Sequence, residues 1–148
     1  MIRVELQGDK ALDKALMRLE LKTAKRIVRP AARKAMKPTL KAVKENARTM
    51  VGGEMGKLLA RYMILRAFRR QRKGSYGLNV RLKGGVPEFK HVAADGTEYY
   101  IPAAIEYGHD SAAAIPFMRK AFDGNTEKSL TIIKQEIWLG ILKEAGKA

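Results

Sequence analysis

The stretch IEYGHDSAAAIPFMRK, residues 105–120, decides how the carboxyl half of this chain is read. It places Glu106, Tyr107, Gly108, His109 and Asp110 side by side, follows them with small residues, and then presents Ile-Pro-Phe. Two readings compete. Glu106, His109 and Asp110 are residue types that serve as general bases or metal ligands. Their spacing, however, crosses a glycine and does not match the single helix face or facing strands that a three-ligand site requires. The other histidine, His91, stands in a segment with no matching motif, and no HExxH, GxSxG, P-loop or GxGxxG pattern occurs in the sequence. The second reading is a structural elbow from sheet to helix. Gly108 suits a backbone position with positive φ, Pro116 suits the first position of a helix, and Phe117 and Phe122 supply large apolar area beside it. On this reading Glu106, His109 and Asp110 lack partners within the chain and face solvent or a neighbour. The elbow reading is preferred, so no catalytic residue, metal ligand or cofactor site is expected.

Outward from the elbow, apolar residues at 117/118, 121/122, 130, 133, 137 and 141 predict a helix from Pro116 to the end of the chain, with a possible disturbance at Gly124-Asn125. Upstream, EFKHVAADGTEYYIP reads as a β-hairpin with Asp95-Gly96 at its tip. SYGLNVRL (75–82) reads as a strand and VGGEMGK (51–57) as a break; LLARYMILRAFRRQRKG after it suits strand or helix, and a helical turn followed by a strand from about Tyr62 to Arg69 is preferred. Before the break, apolar positions recur at helical spacing: Leu12, Ala15, Leu16 and Leu19, then Ile27, Ala31 and Ala35, then Leu40, Val43, Ala47 and Met50. Basic residues line the opposite side. Pro30 and Pro38 each remove a backbone donor, so this segment is expected to be kinked or split near Pro30. IRVEL (2–6) reads as a short strand and Asp9 as a helix N-cap. The order predicts one α+β domain over residues 1–148: a long amino-terminal amphipathic helix and a carboxyl-terminal helix packed on a small antiparallel sheet.

Composition narrows the function. Thirty Lys and Arg against fifteen Asp and Glu leave +15, which favours a polyanionic partner: nucleic acid, an acidic protein face or an acidic membrane. The candidate contact surface is Arg33, Lys37 and Lys41 on the long helix and Arg66, Arg69, Arg70, Arg72 and Lys73 in the densest basic run. A solvated strand end or loop is the plainer account of that run. No apolar run approaches the ~20 residues of a membrane helix, no secretion signal is read at the amino terminus, and the absence of cysteine excludes disulfides.

The two motifs, Ile105-Glu106-Tyr107-Gly108-His109 after Tyr99 and Tyr100, and Pro116-Phe117-Met118-Arg119 with Ala121, resemble those of the tailed-bacteriophage tail-completion or head–tail joining (neck) proteins. AARKAMKPTLKAVKENA (31–47) and Gly56-Lys57-Leu58 fit the same order. The chain departs from that pattern at Arg48 and Lys120, where proline is usual, and at His109, where Thr or Ser is common. The resemblance implies a non-enzymatic virion protein, assembled in the host cytoplasm and sited at the head–tail junction. It implies self-association as a ring, six subunits being the expected number. Its partners would be the head connector and the tail tube or terminator proteins, with non-specific contact to genome DNA and no membrane. Glu106, Tyr107, Gly108, Pro116, Phe117 and Arg119 would form the elbow or an interface. The alternative from charge alone is a non-specific nucleic-acid-binding protein.

Overall fold

A four-residue repeat of small and apolar side chains organises the longest amino-terminal element. In the computed structural model, which describes residues 10, 11, 14, 21–72 and 75–146, helix α1 spans Leu21–Asn46. Ile27, Ala31, Ala35, Thr39 and Val43 are all buried, each one helical step of four from the last. Both prolines lie inside the helix, which runs through them as one element rather than splitting near Pro30. It continues as a π-helical turn, Ala47–Val51, closed by Gly52 N–H donating to Ala47 O at 3.2 Å. The strand read at 2–6, the cap at Asp9, the apolar positions Leu12, Ala15, Leu16 and Leu19, and Lys73 lie outside the described residues.

The break at VGGEMGK is shorter than its three glycines suggest. Helix α2, Gly53–Tyr62, begins within it. Gly56 is what permits the tight return, because a Cβ there would stand 2.4 Å from Ala47 O. Strand β1 (Met63–Ala67) pairs with β2 (Leu78–Leu82). The pair is antiparallel, bracketed by Lys83 N–H to Tyr62 O at 2.8 Å and Phe68 N–H to Gly77 O at 3.0 Å. A 3-10 turn, Pro87–Phe89, leads into a second antiparallel pair, β3 (Lys90–Val92) with β4 (Glu98–Tyr100). This is the hairpin expected at Asp95-Gly96. Thr97 N–H donates to Asp95 Oδ1 at 2.9 Å, and that bond holds the Asp95 carboxyl below its ordinary value.

After β4 the chain departs from the expected sheet-to-helix elbow. A short helix α3, Ile101–Tyr107, intervenes, with Pro102 in its first turn where a missing N–H costs nothing. Helix α4 then runs Phe117–Ala145 without interruption at Gly124 or Asn125. The fold is α+β, with two small antiparallel sheets in place of one.

The chain forms two compact units, each assembled from separate segments. The first comprises Met1–Thr39, Leu65–Val80 and Asn125–Ala148; the second comprises Leu40–Ile64 and Arg81–Gly124. In the first, Ile27, Ala31 and Ile137 form a cluster with Val28, Ile133 and Ile141 packed against it. Thr39 and Ser129 satisfy each other there through buried hydroxyls 3.2 Å apart, and Lys34 reaches Glu136 at 2.5 Å. In the second, Phe89, Phe117, Leu59, Met63 and Val43 are the largest fully buried side chains. Phe89 meets both Tyr62 and Tyr100 edge-on, at centroid distances of 5.9 and 6.4 Å.

Candidate functional site

Residues 105–120 close into a reciprocal cap between two helix ends, all within the second unit. The start of an α-helix leaves backbone N–H groups without intrahelical partners and carries partial positive charge. At α4 these groups are met by Glu106, whose carboxylate accepts from Met118 N–H at 2.9 Å and from Arg119 N–H at 3.0 Å. Phe117 N–H donates to Ile115 O at 2.8 Å, and Lys120 N–H makes the first intrahelical bond, to Pro116 O at 3.1 Å. The whole first turn is thereby satisfied. Glu106 is 4 % exposed, so its charge is held in place of water by two backbone donors and the Arg119 Nε–H at 3.2 Å.

The other helix end is closed by the same residue pair. The last turn of α3 offers carbonyl groups, and Arg119 Nη2 donates to Glu106 O at 2.8 Å. Ile105 O accepts from Ile115 N–H at 2.7 Å, and Ala104 O accepts from Gly108 N–H at 2.8 Å. The Arg119 guanidinium also lies over the Tyr107 ring, 5.3 Å from its centroid. Gly108 has φ +75, and a Cβ there would meet Ala114 N at 2.7 Å, so the returning loop needs a glycine on both grounds. From α1, Asn46 Nδ2 donates to Phe117 O at 3.1 Å.

This overturns the expectation that Glu106 lacks partners; it is the most fully bonded carboxylate described in the motif. Its partners are backbone groups 12 and 13 residues ahead, which no side-chain spacing announces. His109 and Asp110 do not join it. His109 is exposed, bridges Ala112 through its backbone, and accepts from Ser111 N–H at Nδ1 at 3.3 Å. Among the described residues no group of three His, Asp or Glu is placed to hold a metal ion.

The basic residues read from sequence are surface residues. Arg33, Lys37, Arg66, Arg69, Arg70 and Arg72 are exposed in the first unit, and Lys41, the next step along α1, is exposed in the second. Gln71 ties together the two ends of the loop that carries Arg69, Arg70 and Arg72. Gln71 donates to Phe68 O and Gly77 O at 2.9 and 3.1 Å and accepts from Gly77 N–H at 2.8 Å, which pins the loop at its neck. Within the same unit the Arg29 guanidinium stands 5.8 Å from the Tyr76 ring centroid, tying this loop to α1.

Sequence reasoning missed two apolar surfaces. On α4, Trp138, Leu139 and Leu142 are exposed, Leu142 by 64 %. Leu139 borders an open groove of about 350 Å³ in the first unit, lined also by Arg26, Pro30, Glu136, Gly140, Lys143 and Glu144. Their signal was present: Trp138, Leu139 and Leu142 fall off the stripe set by residues 133, 137 and 141. On the hairpin, Val92 and Tyr99 are exposed, as is half of Tyr100, whose hydroxyl burial pushes above its ordinary pKa. No helix among the described residues is long and apolar enough to cross a membrane. The chain matches no family model, no curated protein and no solved structure.

Proposed function

We propose that this protein is a structural component of a tailed bacteriophage or prophage, joining the tail to the head connector by self-association and docking. The observation that carries the reading is the interlocking of its two family-like motifs. Glu106-Tyr107-Gly108 and Pro116-Phe117-Met118-Arg119, separated in sequence, form one reciprocal cap with a buried carboxylate at its centre. Such a cap fixes the angle at which α4 leaves α3, a geometric task suited to a part that must repeat identically around a ring.

Two further features favour assembly. The β3–β4 hairpin is a two-stranded ribbon whose six residues are all exposed. Ribbons of that size are marginal alone and present open edges that pair readily with another chain. The exposed Trp138, Leu139 and Leu142 supply a second apolar surface, of a composition enriched in the buried cores of interfaces. Tyr107, held by Arg119 yet 64 % exposed, lies at the rim of the cap. On this reading the protein is no enzyme and needs no cofactor. Its neighbours are copies of itself, the connector and the tail tube or terminator.

The test is electron microscopy of phage particles produced without this protein. Accumulation of separate full heads and finished tails is expected. Normally joined particles would remove the reading.

A further inference from the structure

The net charge of this chain is divided very unequally. The first unit holds twenty Lys and Arg against seven Asp and Glu, a net +13; the second holds ten against eight, a net +2. Within the first unit the imbalance is sharper still. Residues 21–39 and 65–80 contain twelve Lys and Arg and no Asp or Glu. A merely solvated helix face carries both signs, because mixed charge adds helix-stabilising pairs and avoids self-repulsion.

We infer that this face of the first unit is a binding surface for the phosphate backbone of duplex nucleic acid. Two observations converge. Lys25, Arg29, Arg33 and Lys37 are all exposed and follow one another at four-residue steps on α1, which distributes them over about 18 Å of helix. An equal length of duplex carries on the order of ten phosphate charges, so a linear row of cations has a linear array of anions to meet. Next, the Gln71-pinned loop presents Arg69, Arg70 and Arg72, and Arg29 stacked on Tyr76 fastens that loop to the same helix. The backbone on either side of these arginines is thus tied to the unit, and less backbone ordering is required on binding.

Composition selects among polyanions. A protein-docking face carries apolar and aromatic side chains at its centre and is poor in lysine. None of the exposed large apolar side chains described falls within 21–39 or 65–80, and the groove in which exposed Leu139 meets Arg26 and Pro30 includes none of Lys25, Arg29, Arg33 and Lys37. The same observation disfavours single strands, which are gripped by base stacking on free aromatic rings; Tyr76 is partly buried and already faces Arg29. It also disfavours an anionic membrane, where apolar side chains insert beside the charges. What remains is sequence-independent contact with phosphates, which orients a protein on a duplex without reading bases. The inference stands on charge and geometry alone, so its outcome is independent of whether the protein joins heads to tails.

The test is fluorescence anisotropy of the full chain with labelled 30-base-pair duplexes of two unrelated sequences, across a range of salt concentrations. Equal affinity for both duplexes is expected, with a log–log salt slope of about −5, corresponding to five or six phosphate contacts. The triple variant Lys25→Gln/Arg33→Gln/Lys37→Gln, and separately Arg69→Gln/Arg70→Gln/Arg72→Gln, should each flatten the slope by about 2 to 3. Lys83→Gln/Lys90→Gln, in the second unit, should leave it unchanged. No binding at 50 mM salt, a wild-type slope retained in both triple variants, or tighter binding to polyglutamate or to anionic vesicles than to duplex DNA would overturn the assignment.

Discussion

Arginine does opposite work at two places in this molecule. Arg119 is committed inward: its guanidinium donates to a buried carboxylate and a helix-end carbonyl and covers a tyrosine ring. Arg33, Arg69, Arg70 and Arg72 are committed outward, exposed and gathered with like charges. The difference lies in what surrounds each one. At the cap, a helix start, a helix end and a carboxylate converge, so the charge is consumed locally. On the basic face no acid occurs over two whole segments, so apart from Lys34, which Glu136 of α4 pairs, no neighbour within those segments neutralises the charge. A chain with +15 is therefore not uniformly basic; it has a nearly neutral unit that spends its charges on structure and a cationic unit that displays them.

The comparison is broken most forcefully at Glu106. Glu106→Gln keeps the shape but replaces one of the two acceptor oxygens by an NH₂ donor, leaving one backbone N–H without its acceptor, and removes the charge that faces the helix start. A buried donor left unsatisfied costs about 1–3 kcal/mol, and the lost charge–dipole attraction adds up to about 2. A total near 3 kcal/mol is expected, read as a fall of about 10 °C in Tm for a chain of this size. A variant that melts with the wild type would mean the cap is incidental.

Next in size is Gly108→Ala. The backbone there has φ +75 and ψ 175, a region open almost only to glycine, and the new Cβ would press on the Ala114 backbone. Strain of this kind costs about 1–3 kcal/mol. The change should shift the denaturant midpoint by a comparable amount with the same m-value, since it alters the folded elbow and not the area exposed on unfolding. Arg119→Lys should cost less, about 1 kcal/mol, because lysine retains an ion pair with Glu106 but cannot also reach the Glu106 carbonyl with a planar fork. A double-mutant cycle with Glu106→Gln checks this: the two losses should fail to add if Arg119 acts through the carboxylate.

These residues also mark what the sequence could and could not reveal. The amphipathic helix was legible because Ile27, Ala31, Ala35 and Val43 repeat every four residues with basic residues opposite. The hairpin was legible because Asp95-Gly96 is a local turn signal, sufficient without tertiary help. Helix continuity through Pro30 was not decided by propensity, since burial along the whole stripe outweighs one lost hydrogen bond. Glu106 was misread for a different reason: its partners are backbone N–H groups, which every residue carries and no side chain betrays. Only the later part of helix α2 was legible, as a helical turn after the break; its start was obscured because Gly56 reads as a breaker, whereas its role is to let two helices approach where a Cβ would strike Ala47 O. Trp138 and Leu142 were passed over because one apolar stripe on α4 sufficed to explain the helix.

A smaller effect than any at the cap is expected at the hairpin tip. The Thr97 N–H bond lowers the folded-state pKa of Asp95, so its contribution is complete above the ordinary carboxylate range and fades as pH falls through the lowered value. In Asp95→Asn the amide still offers an oxygen to Thr97, so the fold should persist while this acid-side loss disappears. NMR titration of the Thr97 amide follows it directly, and an identical acid-side shift in wild type and variant would rule out the assignment.

The smallest change in stability belongs to the basic face, and its sign separates the two regions most cleanly. Arg33→Gln with Lys37→Gln removes exposed charges that have like-charged neighbours, so stability should move by no more than about 0.5 kcal/mol, and upward. Added salt screens exposed charges but reaches a buried carboxylate bonded to backbone N–H groups far less. Raising NaCl from 50 to 500 mM should therefore raise the Tm of the wild type slightly and raise that of the double variant less. The deficit of Glu106→Gln relative to wild type should remain the same at both salt concentrations. If salt instead erased that deficit, the cap would be a surface ion pair like any other; if the double variant lost stability, the basic row would be holding the fold together and not held ready for a partner.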